Sequence, residues 1–140
     1  MAAFNKFNSF VEALAEKKHD LGADTLKVML TDTAPVANNT VKADLTEISA
    51  GNGYTAGGNT ASVTSSAQTS GTYKLVLGDP ATWTASGGSI GPFRYAVLYN
   101  DTAASDELIG WWDYGSSITL ASGESFAVDF DPTTGVLTLA

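Results

Sequence analysis

The sequence predicts a mainly β protein: a single-domain antiparallel β-sandwich of jelly-roll type, preceded by an N-terminal amphipathic helix. Three observations predict it. The 140 residues suit one compact domain with its own core. The composition is small and β-branched, with 17 Thr, 13 Ser, 20 Ala and 14 Gly and only 16% charged residues, unlike the Glu-, Lys- and Leu-rich make-up of helix bundles. From Thr60 onward, short apolar runs alternate with Gly, Pro, Asp and Ser turns at spacings of about ten residues, as in sandwiches and barrels. The organisation expected is a helix over 1–22, a strand and long loop over 23–59, and an antiparallel β-body over 60–140.

Phe4, Phe7, Phe10, Val11 and Leu14 recur at three- and four-residue spacings and predict one apolar face of a helix over about 3–20. Gly22 after Lys17, Lys18 and His19 reads as its glycine C-cap. Leu26, Val28 and Leu30 then alternate with polar neighbours, the period of a half-buried strand that Asp32-Thr-Ala-Pro35 ends. Residues 33–58 read as a long irregular excursion with one short helical turn near Asp44–Ile48. Ordered loops of that length tend to be functional or interfacial. Ser62–Ser66 and Thr72–Leu77 flank Gln68-Thr-Ser-Gly71 as a hairpin. Trp83 marks a short strand, and Phe93–Tyr99 is apolar enough for a central one. Leu108–Tyr114, Ser117–Leu120, Ser125–Phe130 and Val136–Leu139 complete the expected set.

Charge and chemistry narrow the function. The net charge is −8, and residues 31–140 carry all of it, with eleven acids against Lys42, Lys74 and Arg94. So acidic a body repels phosphate backbones and anionic lipid, so neither nucleic acid nor membrane is expected as a partner. The absence of cysteine removes disulfides, thiolate metal sites and cysteine nucleophiles. No apolar stretch resembles a signal peptide or a membrane span, which leads to the expectation of a soluble protein made in the cytosol. His19, the lone histidine, reads as a helix-capping or exposed residue rather than a general base. Asp113, Asp129 and Asp131 sit where turns favour Asp, and a catalytic carboxylate pair is the weaker reading of them. Asp129-Phe-Asp131 offers oxygens of the kind calcium prefers, without an EF-hand or a glycine-aspartate repeat, so no metal or cofactor is expected. Gly51–Gly58 lacks the ending of a P-loop and reads as a permissive loop.

The aromatic residues are the remaining signal. In Gly110-Trp-Trp-Asp-Tyr-Gly115 a strand sets Trp111 and Asp113 on one face and Trp112 and Tyr114 on the other, so one tryptophan belongs to the core and the other to a surface or interface. Trp112 and Tyr114 are thus candidates for stacking on a ligand such as a sugar ring.

The strings Phe4-Asn-Lys-Phe-Asn-Ser-Phe10, Asp24–Pro35, Gly53–Gly58, Tyr95–Thr102, Leu108–Gly115 and Gly123–Asp131 together resemble the small head-gene proteins of tailed bacteriophages, some of which are capsid decoration or cement proteins. The resemblance spans almost the whole chain and rests on no mechanistic motif. It implies a non-enzymatic virion protein, made in the host cytoplasm and carried on the capsid surface. Its partners would be the phage major capsid protein and further copies of itself, a trimer by preference. The contact surface expected is the helix face Phe4, Phe7 and Phe10 with the loop residues Asn52, Tyr54 and Asn59, one offering apolar area and the other a backbone able to conform. The alternative places these phenylalanines in the chain's own core. The rival function is a receptor- or glycan-binding module of a phage tail or head fibre, working through Trp112 and Tyr114.

Overall fold

The computed structural model describes residues 2–140, of which 43% are strand and 7% helix. In chain order the strands are β1 (Asn5–Lys6), β2 (Leu26–Thr31), β3 (Asn59–Ala61), β4 (Val63–Thr69), β5 (Thr72–Leu77), β6 (Trp83–Thr84), β7 (Ile90–Asn100), β8 (Leu108–Leu120), β9 (Ser125–Phe126) and β10 (Leu137–Leu139). The helix α1 (Ser9–Ala15) lies between β1 and β2. A five-stranded sheet runs β1-β8-β7-β2-β3, a three-stranded sheet runs β10-β5-β4, and β6 pairs with β9. Every pairing is antiparallel, so the fold is the β-sandwich-like domain that the composition predicts.

The period-two pattern accounts for the core. Leu26, Val28 and Leu30 of β2 and Ala96 and Leu98 of β7 join Leu75 and Leu77 of β5 and Leu137 of β10 in one cluster between the sheets. Met29, Val97, Tyr99 and Leu108 form a second cluster on the other face of the large sheet, closed by Phe7 and Leu45. Both faces of β7 are therefore buried, as its apolar run Phe93–Tyr99 requires, and β2, whose alternation predicts a half-buried strand, is also covered on both faces because Met29 and Thr31 are buried and only Lys27 is partly exposed. The central position of β7 follows from that. The β4–β5 hairpin turns through Ser70 and Gly71, both at positive φ, the two-residue connection whose twist suits flanking strands.

The N-terminal segment differs from the expected helix over 3–20. Asn5 and Lys6 pair with Trp111 and Gly110 of β8, and only Ser9–Ala15 is helical. A spacing of three between Phe4 and Phe7 fits a helix face, but it also fits a short strand running into a turn. Gly110 decides between them, because a Cβ there would collide with the Phe4 ring. The helix also ends earlier than Gly22. Lys17 adopts φ 64°, and Lys18 N–H donates to the Ala13 carbonyl at 2.8 Å, the 6→1 bond of a Schellman end with lysine in the place glycine usually takes.

Two further expectations change. The segment 127–130 leaves strand pairing after Phe126, and Phe130 N–H instead donates to Asp79 Oδ1 at 2.7 Å. The two runs expected at Leu108–Tyr114 and Ser117–Leu120 are one strand, β8, whose register against β7 jumps between Tyr95↔Asp113 and Phe93↔Ile118. That irregularity displaces Tyr114–Ser117 from the ladder and projects Tyr114 outward.

Candidate functional site

The structure separates the residues expected to form one contact surface. Phe7 and Phe10 are 0% and 1% exposed and belong to the two core clusters, which corrects the expectation of a free docking face. Burying each phenylalanine stabilises the fold by about 1.5–3 kcal/mol, more than an isolated exposed ring would gain by waiting for a partner. Phe7 packs on Trp111 with ring centroids 4.6 Å apart. Tyr54, 2% exposed, is also internal: its hydroxyl accepts from Leu30 N–H at 3.0 Å and donates to Glu47 Oε1 at 2.7 Å. Asn52 is exposed and donates to the Ser89 carbonyl, while Asn59 donates from β3 to the Ala81 carbonyl at 2.7 Å. Both asparagines fasten the loop to neighbouring backbone.

Phe4 takes a different place. It packs at 5.4 Å on Trp112, which lies at 5.4 Å from Phe130, while Tyr114 meets Phe126 edge-on at 5.7 Å. These five rings line a groove of about 320 Å³ between β7–β8 and the chain from 126 to 136. Alternation along β8 sends Trp111 to the opposite face, as the sequence pattern predicts. Trp112 is half-buried and Tyr114 is 56% exposed, so the two residues picked out for stacking share one concavity. Phe126, Phe130 and Arg94 were not anticipated as its walls. The alternating run Phe126-Ala-Val-Asp-Phe130 was the available signal, and it reads equally well as a strand.

The charged groups around the groove are mostly engaged. Arg94 holds Asp113 through two parallel bonds of 2.8 and 3.0 Å, which keeps the carboxyl below its usual range and raises the guanidinium. Asp131 accepts from the backbone N–H groups of Thr133 and Thr134, and those bonds lower its pKa. Asp129 lines the groove and makes no side-chain hydrogen bond among the described residues. The same residues include no group of three or more His, Asp or Glu side chains placed to hold a metal ion.

His19 is neither exposed nor a helix cap. It is 4% exposed and packs on Phe10. Asn100 Oδ1 accepts from Thr102 and Ala103 N–H, which fixes the amide orientation. Asn100 Nδ2 therefore donates to His19 Nδ1 at 3.0 Å and to Asp24 Oδ2 at 2.6 Å. A ring that accepts at Nδ1 carries its proton at Nε2, and burial lowers its pKa against the opposing pull of Glu107 and Asp24. Nδ1 is held by Asn100, and Nε2 has no hydrogen-bond partner among the described residues. A second, wider depression of about 810 Å³ runs past this residue between the α1–β2 connection and the β4–β5 sheet.

No known protein family, curated protein or solved structure matches the chain.

Proposed function

We propose that the chain is a non-enzymatic structural protein of a tailed-phage head, a decoration or cement protein that binds the outer surface of the assembled shell and stabilises it. One observation carries the non-enzymatic part: among the charged groups of the aromatic groove Arg94 is tied to Asp113 and Asp131 to backbone, which leaves Asp129 as a single unengaged carboxylate among the described residues. Such a concavity can hold a partner, but it has no poised acid-base pair with which to transform one. The resemblance of the sequence to phage head-gene products supplies the setting. A protein that binds a site present only on the assembled lattice adds its binding free energy to the stability of that lattice, and many copies on one shell reinforce the effect.

Quantitative mass spectrometry of purified particles tests the reading. A copy number comparable with that of the major shell protein is expected. A handful of copies per particle, or none, overturns it. The placing of Trp112 and Tyr114 in one groove favours a second reading, a receptor- or glycan-binding module of a fibre. In that case a host surface glycan should quench tryptophan fluorescence saturably, and the copy number should be low.

A further inference from the structure

We propose that the aromatic groove receives a cationic side chain, arginine or lysine, presented by an extended segment of the shell protein. The inference rests on the decoration reading and names the chemistry of its contact. Three features of the groove point to a cation. Five of its lining residues are aromatic, Tyr114 the most exposed of them, and a ring attracts a cation held over its face. Its charged lining consists of Arg94, Asp129 and Asp131, and the guanidinium of Arg94 is already occupied by Asp113 through two bonds, so it does not neutralise the other carboxylates. Asp131 is held by the backbone N–H groups of Thr133 and Thr134 with Lys74 acting on it from beside the groove, whereas Asp129 is exposed and makes no side-chain hydrogen bond among the described residues.

The remaining lining argues against a sugar as the primary guest. Recognition of hydroxyl groups uses side chains that donate and accept side by side. Among the described residues the lining includes no Asn, Gln or His, and its hydroxyls are those of Tyr114 and Thr134. Charge complementarity extends beyond the groove. The chain carries −8, so its field draws basic segments toward it and repels acidic ones. An arginine suits the cavity well, because its planar guanidinium stacks on rings while its fork meets a carboxylate.

The test uses the whole protein labelled with ¹⁵N and two probe peptides, acetyl-Gly-Ser-Arg-Ser-Gly-amide and the same sequence with citrulline, which keeps the shape and removes the charge. The indole N–H resonance of Trp112, assigned through a Trp112→Phe variant, should shift saturably with the arginine peptide. The citrulline peptide should bind about fivefold more weakly, the size of one modest cation–π contact. Asp129→Asn removes no side-chain hydrogen bond among the described residues and should weaken the arginine peptide about three- to fivefold. Raising sodium chloride should weaken the wild type more than this variant. Equal binding of the two peptides, no response to either, or saturation by a chito-oligosaccharide alone would overturn the proposal, and the last result would give the groove to a glycan. Particle copy number separates this failure from that of the wider reading. If Asp129→Asn and Tyr114→Ala lose the peptide but decorate particles at wild-type copy number, the groove is not the contact and the decoration reading stands. If the wild type is absent from particles, the decoration reading fails whatever the peptides do.

Discussion

The loop over 41–58 and the segment over 126–136 are both irregular chain laid against the same β-body, and they end in opposite states. The first is latched. Glu47 accepts from the Tyr54 hydroxyl and from Gly57 N–H at 2.6 Å and pairs with Lys42 at 3.0 Å, while Tyr99 donates to the Gly57 carbonyl at 2.6 Å. The second is tied at Phe130, itself buried, and at Asp131, and leaves Phe126 half-covered at the edge of a groove. A loop whose acidic and phenolic side chains, Asp44, Glu47 and Tyr54, are spent on its own fold serves the scaffold, whereas one that leaves a partly exposed ring and a free carboxylate uncovered has them available for a guest. The glycine-rich string Gly51–Gly58, expected to be permissive, lies in the latched region.

The largest effect should come from the latch itself. Gly58 sits at φ +78°, and a Cβ there would meet the Val28 carbonyl of β2. Gly58→Ala should therefore cost about 3 kcal/mol or more, because neither the strand nor the turn can yield without loss of the β2–β3 pairing. Urea denaturation reads it, and a loss under about 1 kcal/mol would mean that the loop is adaptable after all.

Tyr54→Phe is the milder cut at the same place. It removes the hydroxyl that Leu30 N–H and Glu47 share. A buried donor and a carboxylate oxygen lose a partner together, and the expected cost is about 2 kcal/mol in the same denaturation experiment. The equivalent removal at the groove should cost far less.

Acid should weaken the body before it touches the groove. The folded state depresses the pKa of His19 below its ordinary value of 6.5, so between that value and the lower folded one the unfolded chain binds more protons. Stability contributed by the neutral ring is thus present above pH 6.5 and falls as pH drops from 6.5 through the lower pKa of the folded state. Protonation also turns Nδ1 into a donor facing the donor amide of Asn100, with Lys18 opposing the new charge and Asp24 and Glu107 favouring it. Denaturation midpoints at pH 7.5 and 5.0 should differ for the wild type and differ less for His19→Gln. An equal difference in both proteins would assign the acid response to the carboxylates.

What the sequence made legible follows from how local the determining contacts are. Alternation in β2, the apolar run of β7 and the hairpin signal at Gln68–Gly71 are short-range, and those elements stand where the pattern puts them, with the turn tightened to Ser70 and Gly71. The opposite faces of Trp111 and Trp112 were readable for the same reason. The extent of α1 was not, because the choice between helix and strand at Phe4–Phe7 is made by Gly110, more than a hundred residues away. Glu47 could not be singled out either. As a lone acid in a polar loop it carries no pattern, and its role exists only once Tyr54 and Gly57 are folded onto it. The groove was half legible: Trp112 and Tyr114 came from alternation within β8, while Phe4, Phe126 and Phe130 reach it through tertiary packing.

The smallest effect on stability should be the most informative about the comparison. Tyr114 stands where β8 leaves its register with β7, 56% exposed, with one edge contact to Phe126 and no hydrogen bond from its hydroxyl among the described residues. Truncating it to alanine removes little buried area, so the unfolding midpoint should shift by no more than about 0.5 kcal/mol equivalent. The same change opens one wall of the groove and removes its most exposed ring, so binding of any guest that stacks there should fall several-fold while the fold is intact. A stability loss comparable with that of Tyr54→Phe would instead mean that the groove is a core element fastened as firmly as the latch. The contrast between the two regions would then reduce to a difference in solvent exposure.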